Sequence, residues 1–146
     1  MTSQVKDTEL SLYEDLGCFG CSPTNPVGLH LRFWLRDNTV YTRYRIPERY
    51  HGAPGIAHGG IVAAILDELS CVAALAISKC YVVTGEISVR YLKPCPVEAD
   101  LDISAHIANR EHPRYLVIEA EARQGDVILA RSTGRFFPQM RAESAP

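Results

Sequence analysis

Gly59-Gly60-Ile61-Val62-Ala63-Ala64-Ile65-Leu66-Asp67-Glu68-Leu69-Ser70-Cys71-Val72-Ala73-Ala74-Leu75-Ala76-Ile77-Ser78 decides how this chain folds. After its opening glycine pair the stretch holds no Gly or Pro and is rich in Ala and Leu, which predicts one long helix. Its apolar residues are not confined to a stripe: Ile61, Val62, Ile65, Leu66, Leu69, Val72, Leu75 and Ile77 point in nearly every direction around the axis. A helix apolar on nearly all sides is covered on nearly all sides. A bilayer is excluded as that cover, because Asp67 and Glu68 sit mid-helix and a central acid costs roughly 2.5–3.5 kcal/mol on insertion. The cover must come from protein.

Working outward, Leu29, Leu31, Phe33 and Leu35 alternate with His30, Arg32, Trp34 and Arg36, the periodicity of a strand. Asp37-Asn38 marks a turn, and Val40 to Ile46 completes a hairpin. Residues 47–57, PERYHGAPGIA, carry two Pro and two Gly and predict a structured loop. Beyond the helix four strands are expected: Val82–Leu92, Ala99–Ala108, Tyr115–Arg123 and Val127–Phe137. Gln124-Gly125-Asp126 is a tight hairpin turn. Short turns between these four predict an antiparallel meander, since parallel neighbours need long crossovers. The order β-β-α-β-β-β-β gives an α+β domain: a curved antiparallel sheet of about six strands wrapped around one central helix. Residues 1–27 are expected to be irregular or briefly helical, 28–138 to form the domain, and 139–146 to be a polar, flexible tail.

The 146 residues suit one domain. A net charge of −2 and the absence of a Lys/Arg cluster argue against a nucleic-acid partner, so an anionic ligand would depend on a few local cations. The opening MTSQVKDTEL has no apolar core and does not read as a secretion signal. Five cysteines, an odd number without secretory context, read as reduced thiols, and a cytoplasmic protein is expected.

Chemistry concentrates at the helix. An unpartnered carboxylate in so apolar a helix is disfavoured by several kcal/mol, on the order of an ionic desolvation penalty. Asp67 and Glu68 lie about 100° apart around the axis and face different surroundings. For Glu68 a half-exposed edge or an Arg partner is expected. Asp67 has a different context, because His58-Gly59-Gly60 stands where the helix begins. The first N–H groups of a helix lack intrahelical partners, and glycine lets a ligand approach them closely. Such groups can hold a polarised carbonyl oxygen. Alone, the glycine pair would read as a tight turn.

His58-Gly59-Gly60 followed by Asp67, nine positions after the His, resembles the motif of the PaaI/THEM-like acyl-CoA thioesterases of the hotdog superfamily. Cys18-Phe19-Gly20-Cys21, Asn25-Pro26-Val27-Gly28-Leu29, Pro54-Gly55-Ile56, Thr84 and Arg90-Tyr91-Leu92-Lys93-Pro94 agree with it, so the resemblance covers roughly residues 17 to 138. It implies the hotdog fold and hydrolysis of an acyl thioester to free acid and CoA. It also implies roles: Asp67 as general base or nucleophile, Gly59 as N–H donor to the thioester oxygen with Gly60 beside it, His58 shaping the pocket, and Thr84 positioning water or substrate. Asn25 would lie near substrate. The family site lies between subunits, so a homodimer or a dimer of dimers is expected, with Asp67 acting at the partner's His58-Gly59 turn. No membrane partner is implied.

Arg90, Lys93 and Arg135 are candidates for the CoA phosphates, with a solvated strand face as the equal alternative. Cys18 and Cys21 offer two of the four ligands of a zinc site and no second pair exists, so packing is expected and no metal or cofactor. His51-Gly52 is similar to the loop of hotdog acyl-thioester dehydratases, which keeps hydration or dehydration as an alternative. Non-catalytic acyl-CoA binding would keep the pocket and dispense with Asp67.

Overall fold

The computed structural model describes residues 7–11 and 16–139. The long helix, α1, runs Gly59–Ser78, as its sequence predicts. Lys79, in the left-handed region with φ 57°, donates its N–H to the Leu75 carbonyl and ends it. By length and composition α1 would qualify as a membrane span. A single antiparallel sheet packs against it, and 44% of it is buried.

The strands are β1 (Thr8–Glu9), β2 (Trp34–Arg36), β3 (Thr39–Tyr44), β4 (Tyr81–Tyr91), β5 (Leu101–Asn109), β6 (Leu116–Gln124) and β7 (Val127–Gln139). Among the described residues there are seven rather than six, because Thr8 and Glu9 pair with Leu35 and Trp34 inside the segment expected to be irregular. β2 is also shorter than the alternation suggests. Leu29, Leu31 and Phe33 are buried at every second position, yet Leu29 and Leu31 donate their N–H groups to the carbonyls of Phe19 and Gly20 instead of joining the sheet. Alternation reports which side is buried, not which backbone is the partner. Apart from Gln139, which ends β7, the expected tail lies outside the described residues.

The expected four-strand meander needs correction. The sheet order is β1-β2-β3-β5-β6-β7-β4, so only β5, β6 and β7 form a meander, and β4 pairs with β7 rather than β5. The 92–100 connection is bound elsewhere: Cys95 O accepts from Ala57 N–H at 2.8 Å, Val97 N–H reaches Gly55 O at 3.1 Å, and Glu98 N–H reaches Ile46 O at 2.9 Å. With Pro94 and Pro96 in it, this segment cannot form a ladder, and it carries the chain across to set β5 beside β3. Consequently β4 is an edge strand, and Val83 and Tyr91 on it are exposed.

Residues directly opposite one another share a face of the sheet, and one face carries the core. Phe33, Ile46, Leu101, Ile103, Ile118 and Phe136 close over Ile65, Leu66 and Leu69 of α1. The buried Ser70 hydroxyl donates to the Leu66 carbonyl one turn back, at 2.8 Å, so burial does not leave it unpaired.

Candidate active site

The start of α1 is built around His58. Its N–H donates to Tyr50 O at 2.9 Å, and its ring caps the helix by accepting from Gly60 N–H through Nδ1 at 2.9 Å. Nδ1 as acceptor leaves Nε2 to carry the ring proton toward solvent. Ile61 and Val62 N–H groups go to the His58 carbonyl. Among the described residues Gly59 N–H has no acceptor, while Gly60 N–H is engaged by the cap. Tyr91, at the end of β4, donates its hydroxyl to Gly59 O at 2.6 Å and lies over the glycine, where an added Cβ would stand 3.5 Å from the ring. Beside this turn is a hollow of about 310 Å³ lined by Ile56, Val62, Tyr91, Leu92, Lys93 and Cys95. It is open and mostly apolar, with the one Lys.

Two turns further along, half-buried Asp67 faces β4. Thr84 Oγ1 donates to Asp67 Oδ1 at 2.6 Å, a short charge-assisted bond. The β4–β7 ladder slips between Thr84 and Glu86, and Gly85 sits at the slip with Phe137 so close that a Cβ would fall 2.3 Å from its ring. A bulge of this kind re-aims the neighbouring side chain. Cys71, one helical turn beyond Asp67, has its Sγ 3.7 Å from Thr84 Oγ1. Burial and the Asp67 charge push its thiol up to about 12, so Cys71 is present as the thiol and not as a nucleophilic thiolate.

The structure therefore brings Asp67 and Thr84 together, and separately His58, Gly59 and Gly60. The two groups do not meet in one chain: Gly59 and Asp67 are eight positions apart on one straight helix, about 12 Å at 1.5 Å per residue. Lys93 reaches the hollow beside Gly59. Arg90 pairs with Arg131, and Arg135 with Glu86, on positions that alternate with buried Ser132, Gly134 and Phe136. Both arginines thus lie on the face of the sheet turned away from α1. Arg90 borders a hollow of about 590 Å³ there, with His106, Glu119 and Arg131, and Arg135 lies over the Tyr115 ring. Asn25 engages its side chain in its own loop, donating to Gly17 O at 3.0 Å and accepting from Val27 N–H at 3.0 Å.

Tyr91 and Cys71 are the neighbours that sequence reasoning did not assign. The signal for Cys71 was its i, i+4 spacing from Asp67; Tyr91 stood within the motif stretch Arg90–Pro94 but had no role assigned, because it meets Gly59 only through the fold.

A family model described as the thioesterase superfamily matches residues 54–130, more than half of the chain. Acyl-coenzyme A thioesterase THEM5 of Mus musculus is 35% identical over 87 residues, 59% of this chain and 35% of that protein. The chain thus spans about a third of the length of this curated relative. Among solved structures, a thioesterase superfamily protein superposes with a TM-score of 0.73 at 24% identity, covering 80% of this chain and 57% of that one. A hypothetical thioesterase protein from Streptococcus pneumoniae TIGR4, solved with coenzyme A, gives a TM-score of 0.65 at 21% identity, covering 71% and 83%. The long helix and its seven-stranded sheet are the hotdog fold these structures share. The family match runs from the loop before His58 through α1 to the start of β7, and by it this chain belongs to the thioesterase superfamily.

Proposed function

We propose that the protein hydrolyses acyl-CoA thioesters to a free acid and CoA, at a site shared between two copies of the chain. One observation carries this reading: Asp67 is aligned by Thr84, while the free N–H of Gly59 lies about 12 Å away on the same helix, too far to serve the same carbonyl. A second copy supplies the missing half. The thioester oxygen accepts from Gly59 N–H at the positive end of one helix. Asp67 of the other chain removes a proton from water as it attacks the carbonyl carbon, or attacks that carbon itself to give, once CoA leaves, a mixed anhydride that water then hydrolyses to the free acid and Asp67. The C–S bond then breaks and CoA leaves as thiolate, to be protonated. His58, whose Nδ1 caps the helix, would use its Nε2 to shape the pocket beside the carbonyl. The coenzyme A bound to the Streptococcus pneumoniae neighbour supports CoA as the thiol carrier. Lys93, at the mouth of the hollow beside Gly59, is the cation placed to meet its anionic end. The reaction calls on no cofactor, and a cytoplasmic homodimer, or a pair of them, is the working form.

The test is a hydrolysis screen across acyl-CoA chain lengths and aryl acyl-CoAs, reading release of free thiol. Turnover of at least one class is expected; a folded protein that releases no thiol from any of them refutes the proposal. Thr84→Val removes the hydroxyl that orients Asp67, worth about 1.5–3 kcal/mol for a bond to a charged group. A fall in kcat of about tenfold or more with KM nearly unchanged is expected, measured by steady-state kinetics.

A further inference from the structure

On the face of α1 about 100° from Asp67, half-buried Glu68 lies against the turn Cys18-Phe19-Gly20-Cys21. Cys18 Sγ lies 3.5 Å from Glu68 Oε1, and the two sulfurs and the carboxylate oxygen are all within 4.8 Å of one another. The expectation of a bare thiol pair counted cysteines alone; folding adds a third donor from a residue fifty positions away. All three side chains are half-buried, and among the described residues they are the one such grouping. We infer that Cys18, Cys21 and Glu68 form a zinc-binding site that fastens the segment before the first long strand onto α1.

The geometry fits a tetrahedral ion. With Zn–S about 2.3 Å and Zn–O about 2.0–2.2 Å, neighbouring ligands stand about 3.6 Å apart for S···O and about 3.8 Å for S···S. The observed S···O spacing lies at that edge length. The turn is also shaped for a thiolate. Gly20 N–H points at Cys18 Sγ at 3.3 Å, a bond that stabilises negative sulfur. A Cβ at Gly20 would fall 2.5 Å from Glu68 Cδ, so any side chain there would push the carboxylate away from the two sulfurs. Leu29 N–H to Phe19 O and Leu31 N–H to Gly20 O, at 2.7 and 2.9 Å, hold the turn in place without the ion.

The bland alternative is a thiol donating to a carboxylate. It leaves two thiols and a charged group crowded in one half-buried site, where burial and the Glu68 charge push the Cys21 thiol well up. A divalent ion changes the balance: each thiol gives its proton to solvent, and both thiolates and the carboxylate coordinate. Two sulfurs and one carboxylate select zinc over magnesium or calcium, which prefer oxygen throughout. The fourth position takes water or another donor. Glu68 is turned from Thr84, so the ion does not touch the thioester; it holds the helix turn that carries Asp67.

The experiment uses tag-free protein, grown with zinc and kept reduced so that the thiols cannot pair as a disulfide. About one zinc per chain is expected by elemental analysis. After stripping with a chelator, cobalt(II) should bind with a thiolate-to-metal charge-transfer band. Cys18→Ser combined with Cys21→Ser should lose both signals, and Glu68→Gln should weaken cobalt binding by about tenfold or more, at least what loss of an outer-shell partner brings. Stripping should lower the melting temperature by about 5 °C or more, with zinc restoring it. Reduced, stripped wild-type protein that takes up no cobalt overturns the inference, whether or not the cysteine variant folds. Metal uptake unchanged in the variants also overturns it.

Discussion

Asp67→Asn is expected to lower kcat by about 10²-fold or more, the scale for losing a positioned general base. The fold should survive, because Asn keeps the shape of the side chain and its carbonyl oxygen can still accept from the Thr84 hydroxyl. Steady-state turnover set beside melting temperature and circular dichroism separates lost chemistry from lost structure. Glu68 is the internal rival, one position along the helix, and the dehydratase-like alternative would give it the work. It faces the Cys18-Cys21 turn, whereas Asp67 faces Thr84 across β4. Near-native turnover of Asp67→Asn together with abolition by Glu68→Gln would sink the assignment.

The second large effect is a rescue. Gly59→Val should be inactive alone, since the added Cβ already meets the Tyr91 ring at 3.5 Å and two further methyls must push into the approach to the Gly59 N–H. Mixed with Asp67→Asn under conditions of subunit exchange, it should regain activity. Each hybrid dimer joins the intact Asp67 of one chain to the intact Gly59 of the other, and the second site carries both lesions. Random exchange of equal amounts makes half the dimers hybrid, so about a quarter of wild-type activity is expected. A monomer that turns over substrate, or hybrids of confirmed exchange that stay inactive, would place the whole reaction within one chain.

The helix, its limits and the positions of the four strands after it were legible because Gly, Pro and periodicity are local signals, whereas β1 was missed and β2 was read too long. Gly59 to Ser78 reads as one element, and β4 to β7 are displaced from their expected bounds by only a residue or two. The partners of those strands were not legible. Whether β4 pairs with β5 or β7 depends on where Cys95, Val97 and Glu98 find hydrogen bonds, and these come from the 46–57 region, far off in sequence. The site divides the same way. Asp67 stood out as a carboxylate in an apolar helix, and His58-Gly59 as an exposed helix start. Glu68 was expected on a half-exposed edge and is half-buried, but only the fold shows that two thiols lie opposite it. Arg90 and Arg135 illustrate a further limit: a cation on a strand has two faces to choose from, and composition cannot say which one a ligand uses.

The sheet order also sets a timetable for folding. α1 is finished at Ser78, but of the strands packed against it only β3 comes earlier; β4, β5, β6 and β7 come later, and β4 must wait for the last of them before its ladder forms. At roughly 5–20 residues per second of synthesis, the most apolar segment of the chain is made several seconds before its cover is complete. Pairings so distant in sequence are closed slowly, after most of the entropy of ordering the chain has been lost. During that interval Ile65, Leu66 and Leu69 are the surface a chaperone would hold, and a ribosome stalled anywhere before β7 would leave their cover incomplete.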